Sequence, residues 1–503
     1  MATVGKNKFY GGLADDVRQE SVIHASNISH FDIWSNPYRL TPNRVMSAAD
    51  ATSGSNIRNF LFASDSLMYA IGVNPAASTK MRLFSSDYLA FSSWTTVATS
   101  ATETIPTPSE FDGRNAFIEY KKILYGVHGA NLTQLWSYNL STLTYNETAQ
   151  TFVNNYTRCG GAIIGDDDNL YIALSNTTTP RNDLIKIDSS GADSIAPLVL
   201  PSNEVITSLT KFKSFLAIGT LVNGTETTVG VSSKIYLWDY VSQEPSQIIL
   251  CPKGAIYGLA NVEGDLIAIF RTFRIVGVAT NSTVISIWDG QRMRPLKTII
   301  RVTPTLSRYQ VHDGQLFFAG QSNGSGSSYD KTGIYAVGRT AGAYDWSVCM
   351  KYQVTASGNT TNPSAVNGFY IVDDVLWASH DTDNVTKIVN DATYSNTSIY
   401  ETLKNDLMPF GDRPKKKTLT GVAVTYAPLG SSAQVMVKYR VDEETNYTTL
   451  FTETTDNAVV TESKNTSTLP SGWREIQFRI ESTGGAEITG FYYSYDTEKS
   501  LIF

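Results

Sequence analysis

The sequence predicts an all-β fold, a seven-bladed β-propeller followed by a small antiparallel β-sandwich. Three observations lead to this prediction: a repeated strand and turn pattern, a strand-forming composition, and a change of pattern near residue 410. The repeat has an alternating apolar strand, a polar or Gly turn and further short strands, and it occurs at residues 60–84, 117–138, 162–187, 209–238, 257–288, 311–337 and 365–388. One such sheet cannot bury both of its faces, whereas a closed ring of sheets can.

The turns of these repeats are spaced about 46 to 59 residues apart, which is the period of propeller blades. They fall near Asp65, Lys121, Asp167, Lys213, Gly264, Gly314 and Asp373. The repeats are rich in Tyr, Thr, Val, Ser, Asn and Gly, the residues of strands and tight turns. Trp238-Asp239 and Trp288-Asp289 end strands as in WD repeats, but their His partners are missing, so we interpret them as blade packing.

A head segment, residues 1–56, precedes the repeats. Pro37 and Pro42 keep its second part extended. We expect this segment to supply the closing strand of the propeller, and an arm at Lys8 to Asp16 to reach a neighbouring subunit. The predicted domains are therefore an arm and closing segment at 1–56, a propeller at 57–405 and a sandwich at 406–503.

The sandwich prediction rests on a break in the sequence and on the strands that follow it. Residues 405–414 contain two prolines and a glycine, which suit a linker. Residues 422–426, 434–441, 475–480 and 490–495 then alternate strictly between apolar and polar, so one face of each strand lies in a core. Trp473 precedes one of these strands, and we expect it to pack at an edge.

Charge, cysteines and hydropathy exclude several classes of protein. A net charge of -7 argues against a surface that binds nucleic acid throughout. Cys159, Cys251 and Cys349 lack the number and spacing of a disulfide framework or zinc site, so we expect buried thiols. The first residues lack the apolar core of a signal peptide and no run of 18 apolar residues occurs, which predicts a soluble protein made in the cytosol without a membrane-spanning segment.

Catalytic motifs are missing from the sequence. The five His residues show no HExxH spacing, and there is no GxSxG or Walker-type loop. The segment Ser85-Ser86-Asp87-Tyr88 is the nearest match to a sialidase Asp box, but it lacks the Gly, and Trp94 lies too far on. The sequence therefore predicts that the chain is not an enzyme and has no cofactor, with a propeller glycosidase or depolymerase as the third hypothesis for its function.

Two clusters of carboxylates have two interpretations each. Asp166-Asp167-Asp168 and Asp381-Thr382-Asp383-Asn384 could supply oxygens to calcium. Both also fall in tight turns, where Asp and Asn bond to nearby backbone groups. We predict no metal site and treat these turns as solvated.

Two further sets of residues are candidates for interaction. Arg413, Lys415, Lys416 and Lys417 form a basic run in an acidic protein and could contact an acidic partner or passing nucleic acid. The other interpretation is a solvated charge run that protects a sheet edge. Tyr492, Tyr493 and Tyr495 could pack on sugars, although alternation places about half of such a cluster in the core.

The order of these segments resembles the structural tail proteins of tailed bacteriophages. The resemblance lies in the arm Phe9-Tyr10-Gly11-Gly12-Leu13, the Tyr-, Thr- and Asn-rich propeller and the Gly411-Asp412-Arg413 entry into the sandwich. The nearest type is the tail hub or nozzle propeller, including the DNA-stabilisation proteins that sit below the portal and adaptor of short-tailed phages.

This resemblance implies a virion protein of the tail, synthesised in the host cytoplasm. It implies a homo-oligomeric ring, often a hexamer, around the genome exit channel, with partners on the adaptor or portal side and on the fibre side. DNA would pass through without sequence-specific binding. The resemblance carries no catalytic residues, and a receptor- or glycan-binding tail adhesin is the alternative function.

Overall fold

The computed structural model describes most of the repeat region and of the C-terminal region. The described residues are 2–6, 27–29, 31–34, 39–43, 46–49, 56–74, 78–87, 94–104, 117–127, 134–176, 181–223, 230–276, 278–305, 309–322, 332–339, 346–353, 366–373, 375–380, 384–388, 397–406, 408–454, 460–464 and 469–498. In these ranges the chain forms β-strands, with a 3-10 turn at Phe410–Asp412 and no α-helix, which confirms the all-β prediction. None of these ranges holds a helix with the length and hydropathy needed to span a membrane.

Strands follow one another through the described residues. In chain order they are β1 (Ala2–Lys6), β2 (Asn27–Ser29), β3 (Phe31–Asp32), β4 (Thr41–Pro42), β5 (Met46–Ala49), β6 (Asn56–Phe62), β7 (Leu67–Asn74), β8 (Ser78–Asp87), β9 (Thr95–Thr104), β10 (Phe117–Tyr120), β11 (Ile123–Val127), β12 (Gln134–Asn139), β13 (Thr144–Thr151), β14 (Arg158–Ile164), β15 (Leu170–Asn176), β16 (Arg181–Ile187), β17 (Asp193–Ile195), β18 (Glu204–Phe212), β19 (Phe215–Val222), β20 (Ser232–Trp238), β21 (Gln247–Leu250), β22 (Ala255–Val262), β23 (Asp265–Val276), β24 (Val278–Trp288), β25 (Met293–Ile300), β26 (Val302–Pro304), β27 (Gln310–His312), β28 (Gln315–Ser322), β29 (Gly333–Arg339), β30 (Trp346–Gln353), β31 (Val366–Val372), β32 (Val375–His380), β33 (Asn384–Ile388), β34 (Ser398–Glu401), β35 (Lys417–Tyr426), β36 (Gln434–Val441), β37 (Thr448–Glu453), β38 (Val460–Lys464), β39 (Ser471–Trp473), β40 (Ile476–Thr483) and β41 (Ile488–Thr497).

The chain forms two compact units, each described separately below. The repeat unit comprises Ser47–Ile334 and Val354–Ile388. The terminal unit comprises Met1–Met46, Tyr335–Gln353 and Val389–Phe503. The predicted domain limits at residues 56 and 405 stay a prediction.

Small sheets of consecutive strands build the repeat unit. Five four-stranded sheets are antiparallel meanders in chain order: β6–β9, β10–β13, β14–β17, β18–β21 and β22–β25. A sixth sheet has the order β31-β32-β33-β5, so the head segment supplies its fourth strand, as predicted for the closing strand. Strands β26 and β27 both pair antiparallel with β28.

The turn between the first and second strands of these sheets explains the predicted turn positions. Lys121 and Lys122, with φ of 51° and 62°, connect β10 to β11, and such positive φ values match the twist of a two-residue hairpin. Positive φ recurs at this turn elsewhere in the repeat unit, at Ser66, Asp168, Lys213, Glu263, Gly264, Asp313, Gly314 and Asp373. The seven predicted turns are therefore confirmed as hairpin turns.

The first strands of the sheets contact one another in a closed cycle. Strand β6 contacts β10, β10 contacts β14, β14 contacts β18 and β18 contacts β22. Strand β22 then contacts β27 and β28, these contact β31, and β31 contacts β6. Blades of a β-propeller are arranged in this way, so the repeat unit is propeller-like.

Aromatic side chains fill the space between neighbouring sheets of the repeat unit. The buried Trp238 ring meets the Tyr171 ring of the preceding sheet at a centroid distance of 5.7 Å. Trp288 meets Phe212 at 5.5 Å in the same way, which confirms the predicted packing role of both Trp residues. Asp239 accepts hydrogen bonds from the backbone N–H groups of residues 241 and 242, so it stabilises the turn after Trp238.

The terminal unit contains strands from both ends of the chain. One sheet has the order β1-β41-β35-β38, with β39 also paired to β35. In the other, β30, β2, β34, β40, β36 and β37 are neighbours in that order. Phe478 of β40 packs between them, because its ring centroid lies 4.9 Å from those of Phe491 and Tyr493 on β41. The four predicted alternating strands lie within β35, β36, β40 and β41 or overlap them.

Candidate functional site

The basic run opens strand β35, and its last residue is buried. The Nζ atom of Lys417 donates hydrogen bonds to the backbone carbonyls of Arg413 at 3.0 Å, Lys415 at 2.8 Å and Arg474 at 2.8 Å. It also lies 5.2 Å from the centroid of the Trp473 ring. Burial lowers the pKa of Lys417. Because its ammonium group is enclosed, Lys417 holds this segment together and does not present charge to a partner.

The other basic side chains reach solvent to different extents. Lys415 is exposed and forms an ion pair with Asp412, Nζ to Oδ1 at 2.8 Å, and this hydrogen bond lowers the pKa of Asp412. Lys416 is exposed, whereas Arg413 is half-buried and its Nε donates to the Met408 carbonyl at 3.4 Å. The predicted basic contact surface therefore reduces to Arg413, Lys415 and Lys416.

The three predicted tyrosines face two sides of strand β41. Tyr493 is buried, and its hydroxyl donates to the Asp406 carbonyl at 2.6 Å. Tyr495 is also buried, and its hydroxyl donates to Asp412 Oδ2 at 3.2 Å. Tyr492 is half-buried on the opposite face. Tyr492 is thus the one of the three that a sugar could reach.

Burial also sets the ionisation of these phenols. It raises the pKa of Tyr495 to about 12, and the pKa of Tyr493 is raised in the same direction by the same cause. Both remain neutral hydrogen-bond donors at physiological pH. They act as core residues with polar tips that fix neighbouring backbone and turn groups.

The structure brings the basic run and the three tyrosines together. Strand β35 pairs antiparallel with β41, in a register that places Leu419 opposite Tyr495 and Ala423 opposite Tyr492. The rings of Trp473 and Tyr495 meet at 6.3 Å. Trp473 was expected at an edge, but it is buried below the Lys417 ammonium group. The basic run and strand β41 therefore lie side by side and share the packing around Trp473.

The side chains of the first Asp turn, residues 166–168, form ion pairs with lysines and accept a hydrogen bond from a tyrosine hydroxyl. Asp168 pairs with Lys121 of the preceding sheet. Asp167 accepts a hydrogen bond from the Tyr171 hydroxyl at 2.7 Å, and its pKa is lowered although burial opposes the shift. Among the residues that the structure describes, no group of His, Cys, Asp or Glu side chains is arranged to hold a metal ion. The second Asp turn, at 381–383, lies outside the described residues.

A polar cluster that the sequence analysis missed lies in the sheet β18–β21. The buried carboxylate of Glu204 accepts hydrogen bonds at Oε1 from Lys234 Nζ at 2.7 Å and Tyr236 Oη at 2.8 Å. Its Oε2 accepts from Thr220 Oγ1 at 2.6 Å. Burial, followed by the bond to Glu204, raises the pKa of Tyr236, so its phenol stays neutral. Lys234 is about one-third exposed, at 31%, and connects the cluster to solvent.

Polar groups occupy the same end of the neighbouring sheets, where the first strand begins. In the preceding sheet, Asp183 accepts hydrogen bonds from the Tyr156 hydroxyl and from Arg181 Nε, both at 2.6 Å. In the following sheet, Arg271 Nη1 donates to the Tyr257 hydroxyl at 2.9 Å. We call these two groups, together with the Glu204 cluster, the strand-start groups. They offer carboxylates, cations and phenols that could orient a polar ligand or transfer protons.

A weak sequence signal marks the Glu204 cluster. Glu204 opens the apolar segment Glu-Val-Ile-Thr-Ser-Leu, and Lys234 and Tyr236 alternate on one face of the next but one strand. A charged residue at the start of a buried strand needs a partner. Finding that partner, however, requires knowledge of which strands are adjacent.

No family model matches the chain, and no curated protein matches it either. Solved structures with some likeness include the exo-β-1,3-galactanase of Phanerochaete chrysosporium, with 11% identity and a TM-score of 0.31 over 90% of this chain and 100% of that one. An α-L-arabinofuranosidase of Clostridium thermocellum has 10% identity and a TM-score of 0.26 over 49% of this chain and 93% of that one. The β-propeller domain of the Trilobed protease of Pyrococcus furiosus has 10% identity and a TM-score of 0.33 over 69% of this chain and 91% of that one.

These values are too low to assign an activity, but they correct one prediction. The chain was predicted not to be an enzyme because it lacks short catalytic motifs, and that prediction is contradicted by the glycoside hydrolases among its structural neighbours. The prediction used short contiguous motifs, and a catalytic site assembled from separate strands leaves no such motif in a sequence. The resemblance to phage tail proteins stays a prediction.

Proposed function

We propose that this chain is a structural subunit of a bacteriophage tail that assembles as a ring around the genome exit channel. The observation that carries the proposal is the closed cycle of first strands in the repeat unit. Such a cycle gives a rigid body with loops on two faces, as a subunit that docks different partners on each face requires. The resemblance of the segment order to tail hub and nozzle proteins supports the same function.

We further propose a seven-bladed propeller and a β-sandwich as the architecture of this subunit. The six four-stranded sheets and the β26–β28 strands make seven members of the cycle. In the terminal unit, the packing of Phe478 against Phe491 and Tyr493 supports two sheets with a common core.

Two strands from the N-terminal part of the chain pair with strands that come much later in the sequence, which also supports a mechanical function. Strand β5 completes the sheet that begins with β31, and β1 pairs with β41. A net charge of -7 is compatible with a channel through which DNA slides, because phosphate binding by Lys and Arg is what retains DNA. Lys416 is exposed, and Lys415 is exposed beside its partner Asp412, so both side chains can face an acidic surface on a neighbour.

Electron microscopy of negatively stained protein, with analytical ultracentrifugation, tests the ring. We expect closed rings, and weaker assembly in a Lys415→Glu, Lys416→Glu variant that keeps the buried Lys417. Each exposed ion pair contributes only about 0.2 to 1 kcal/mol, but the loss is repeated at every interface. Lys253→Glu, at another exposed lysine, is the matched control. A chain that stays monomeric at all concentrations contradicts the proposal.

The same purified protein distinguishes the two alternative functions, a glycan-binding adhesin and a glycoside hydrolase. A monomer that binds bacterial polysaccharides and loses binding on Tyr492→Ala is an adhesin. Release of reducing sugar ends that disappears on Glu204→Gln identifies a glycoside hydrolase with its carboxylate in the strand-start groups. Both assays use the same glycans, so binding and hydrolysis are compared directly.

A further inference from the structure

Among the residues that the structure describes, strand β1 pairs with a neighbouring strand on one side only. It is the first strand in the sheet order β1-β41-β35-β38 and pairs antiparallel with β41, from Ala2 opposite Tyr495 to Lys6 opposite Phe491. The pairing covers five residues. Because it is made by backbone groups, a strand from another copy of the chain could form the same hydrogen bonds.

Strand β41 becomes an edge strand if β1 leaves. Its inward-facing residues Phe491, Tyr493 and Tyr495 are buried, and β35 occupies its other side. An exposed edge next to an aromatic core is a template for a further strand. A vacated β41 therefore needs a replacement, and the replacement with the right register is β1 of another copy.

The length of the connection allows this exchange. Residues 7–26 separate β1 from β2, the next strand of the same unit. Twenty residues can span up to about 66 to 72 Å when extended. Connections between secondary-structure elements in compact domains have a median length of about 4 to 6 residues. The connection after β1 is several times longer than that median, so its length permits β1 to reach another copy.

We propose that β1 is an exchangeable strand that pairs with its own β41 in the monomer and with β41 of the adjacent copy in the assembled ring. Each copy then gives one strand and receives one, which is a heterologous contact that can close by rotation. The exchange creates no new hydrogen bonds, so neighbouring contacts must favour the assembled form. This inference rests on the proposed ring and adds the segment that links its subunits.

Cysteine pairs test where β1 lies. The register places Thr3 opposite Ser494. We would mix a Thr3→Cys variant with a Ser494→Cys variant under assembly conditions, oxidise the mixture and separate it on a non-reducing gel. The proposal expects a covalent heterodimer from the mixture and little or none from either variant alone. The single variants also control for the native cysteines, of which Cys159 and Cys349 are buried.

The Thr3→Cys, Ser494→Cys double variant completes the test. If the exchange is correct, oxidised rings give a ladder of covalent oligomers. Rings that form while the double variant gives only intrachain disulfides overturn the exchange and leave the ring proposal intact. Failure to form any ring overturns the ring proposal, and the exchange with it.

A peptide provides a second measurement. We expect a chain without residues 1–6 to lose assembly and to regain it with a peptide of residues 1–10. A peptide with both Thr3→Pro and Val4→Pro is the matched control, because successive N–H groups of a strand point to opposite sides, so one of the two faces β41 and proline cannot donate there. We expect it to bind at least about tenfold more weakly, a difference of about 1.4 kcal/mol. Equal rescue by both peptides would argue against strand pairing.

Discussion

The repeat unit and the terminal unit obtain their sheets in opposite ways. In the repeat unit, consecutive strands pair through short turns, as β10 and β11 do across Lys121 and Lys122. In the terminal unit, pairing partners come from opposite ends of the chain, and Arg39 forms an ion pair with Glu487 at 3.2 Å across 448 positions. Short loops cost little entropy to close, whereas distant pairings are formed late. Damage should therefore stay local in the repeat unit and spread through the terminal unit.

The largest expected effect is that of Trp238→Ala in the repeat unit. Removing this buried ring leaves a cavity beside Tyr171 and should lower the free energy of unfolding by about 3 to 5 kcal/mol. Hydrogen exchange should show lost protection mainly in the sheets β14–β17 and β18–β21. Val241→Ala, at an exposed side chain nearby, is the control with a change within about 0.5 kcal/mol. Equal loss of protection in all sheets of the repeat unit would contradict the expectation that damage stays local.

Lys417→Met tests whether damage spreads through the terminal unit. Three backbone carbonyls lose their shared donor, and we expect unfolding to become easier by about 3 kcal/mol. Hydrogen exchange should accelerate in both sheets of that unit. Lys416→Met, at the exposed neighbouring residue, is the matched control. If both variants unfold at the same denaturant concentration, the buried ammonium group does not stabilise the unit.

Glu204→Gln should have a smaller effect within one sheet of the repeat unit. The change keeps the shape but removes the counter-charge of Lys234, which is partly screened by solvent, so we expect a loss of about 2 kcal/mol. A double-mutant cycle with Lys234→Met measures the coupling between the two residues. A coupling energy near zero would show that the hydroxyl donors alone hold the carboxylate.

The smallest effect is expected for Tyr495→Phe, and it depends on pH. Loss of one hydrogen bond to Asp412 should cost about 1 kcal/mol at neutral pH. Because the folded-state pKa is raised to about 12 from 10.0, this tyrosine contributes stability that is complete below pH 10 and is lost as the pH rises through 12. The free energy of unfolding is measured as a function of pH for the parent chain and the variant, and the difference between the two curves should isolate this loss. Parallel curves between pH 10 and 12 would contradict it.

The turns and alternating strands could be predicted because their causes are local. A hairpin turn needs positive φ within a few residues, and Glu263-Gly264 and Asp313-Gly314 supply it in the sequence itself. Strict alternation identified β36 because side chains of a half-buried strand face two environments in turn. The closing strand of the head was predicted from the general need to complete the ring.

The candidate site could be predicted only in part. The basic run and the three tyrosines were found, but the burial of Lys417 depends on Arg474 and Trp473, which are more than fifty positions away. The Glu204 cluster draws on three strands, and its partners are fixed by strand adjacency. The prediction that the chain is not an enzyme rested on missing short motifs, and the glycoside hydrolases among its structural neighbours contradict it.

The closing strand β5 is synthesised long before the strand with which it pairs. Its partner, β33, leaves the ribosome more than three hundred residues later, after every other strand of the cycle has been translated. At about 5 to 20 residues per second, β5 waits on the order of 20 to 70 s for that partner. During that interval the nascent chain carries an unpaired strand beside finished hairpins. Pairing of β5 with β33 is therefore a step that closes the cycle only after synthesis of its last strands.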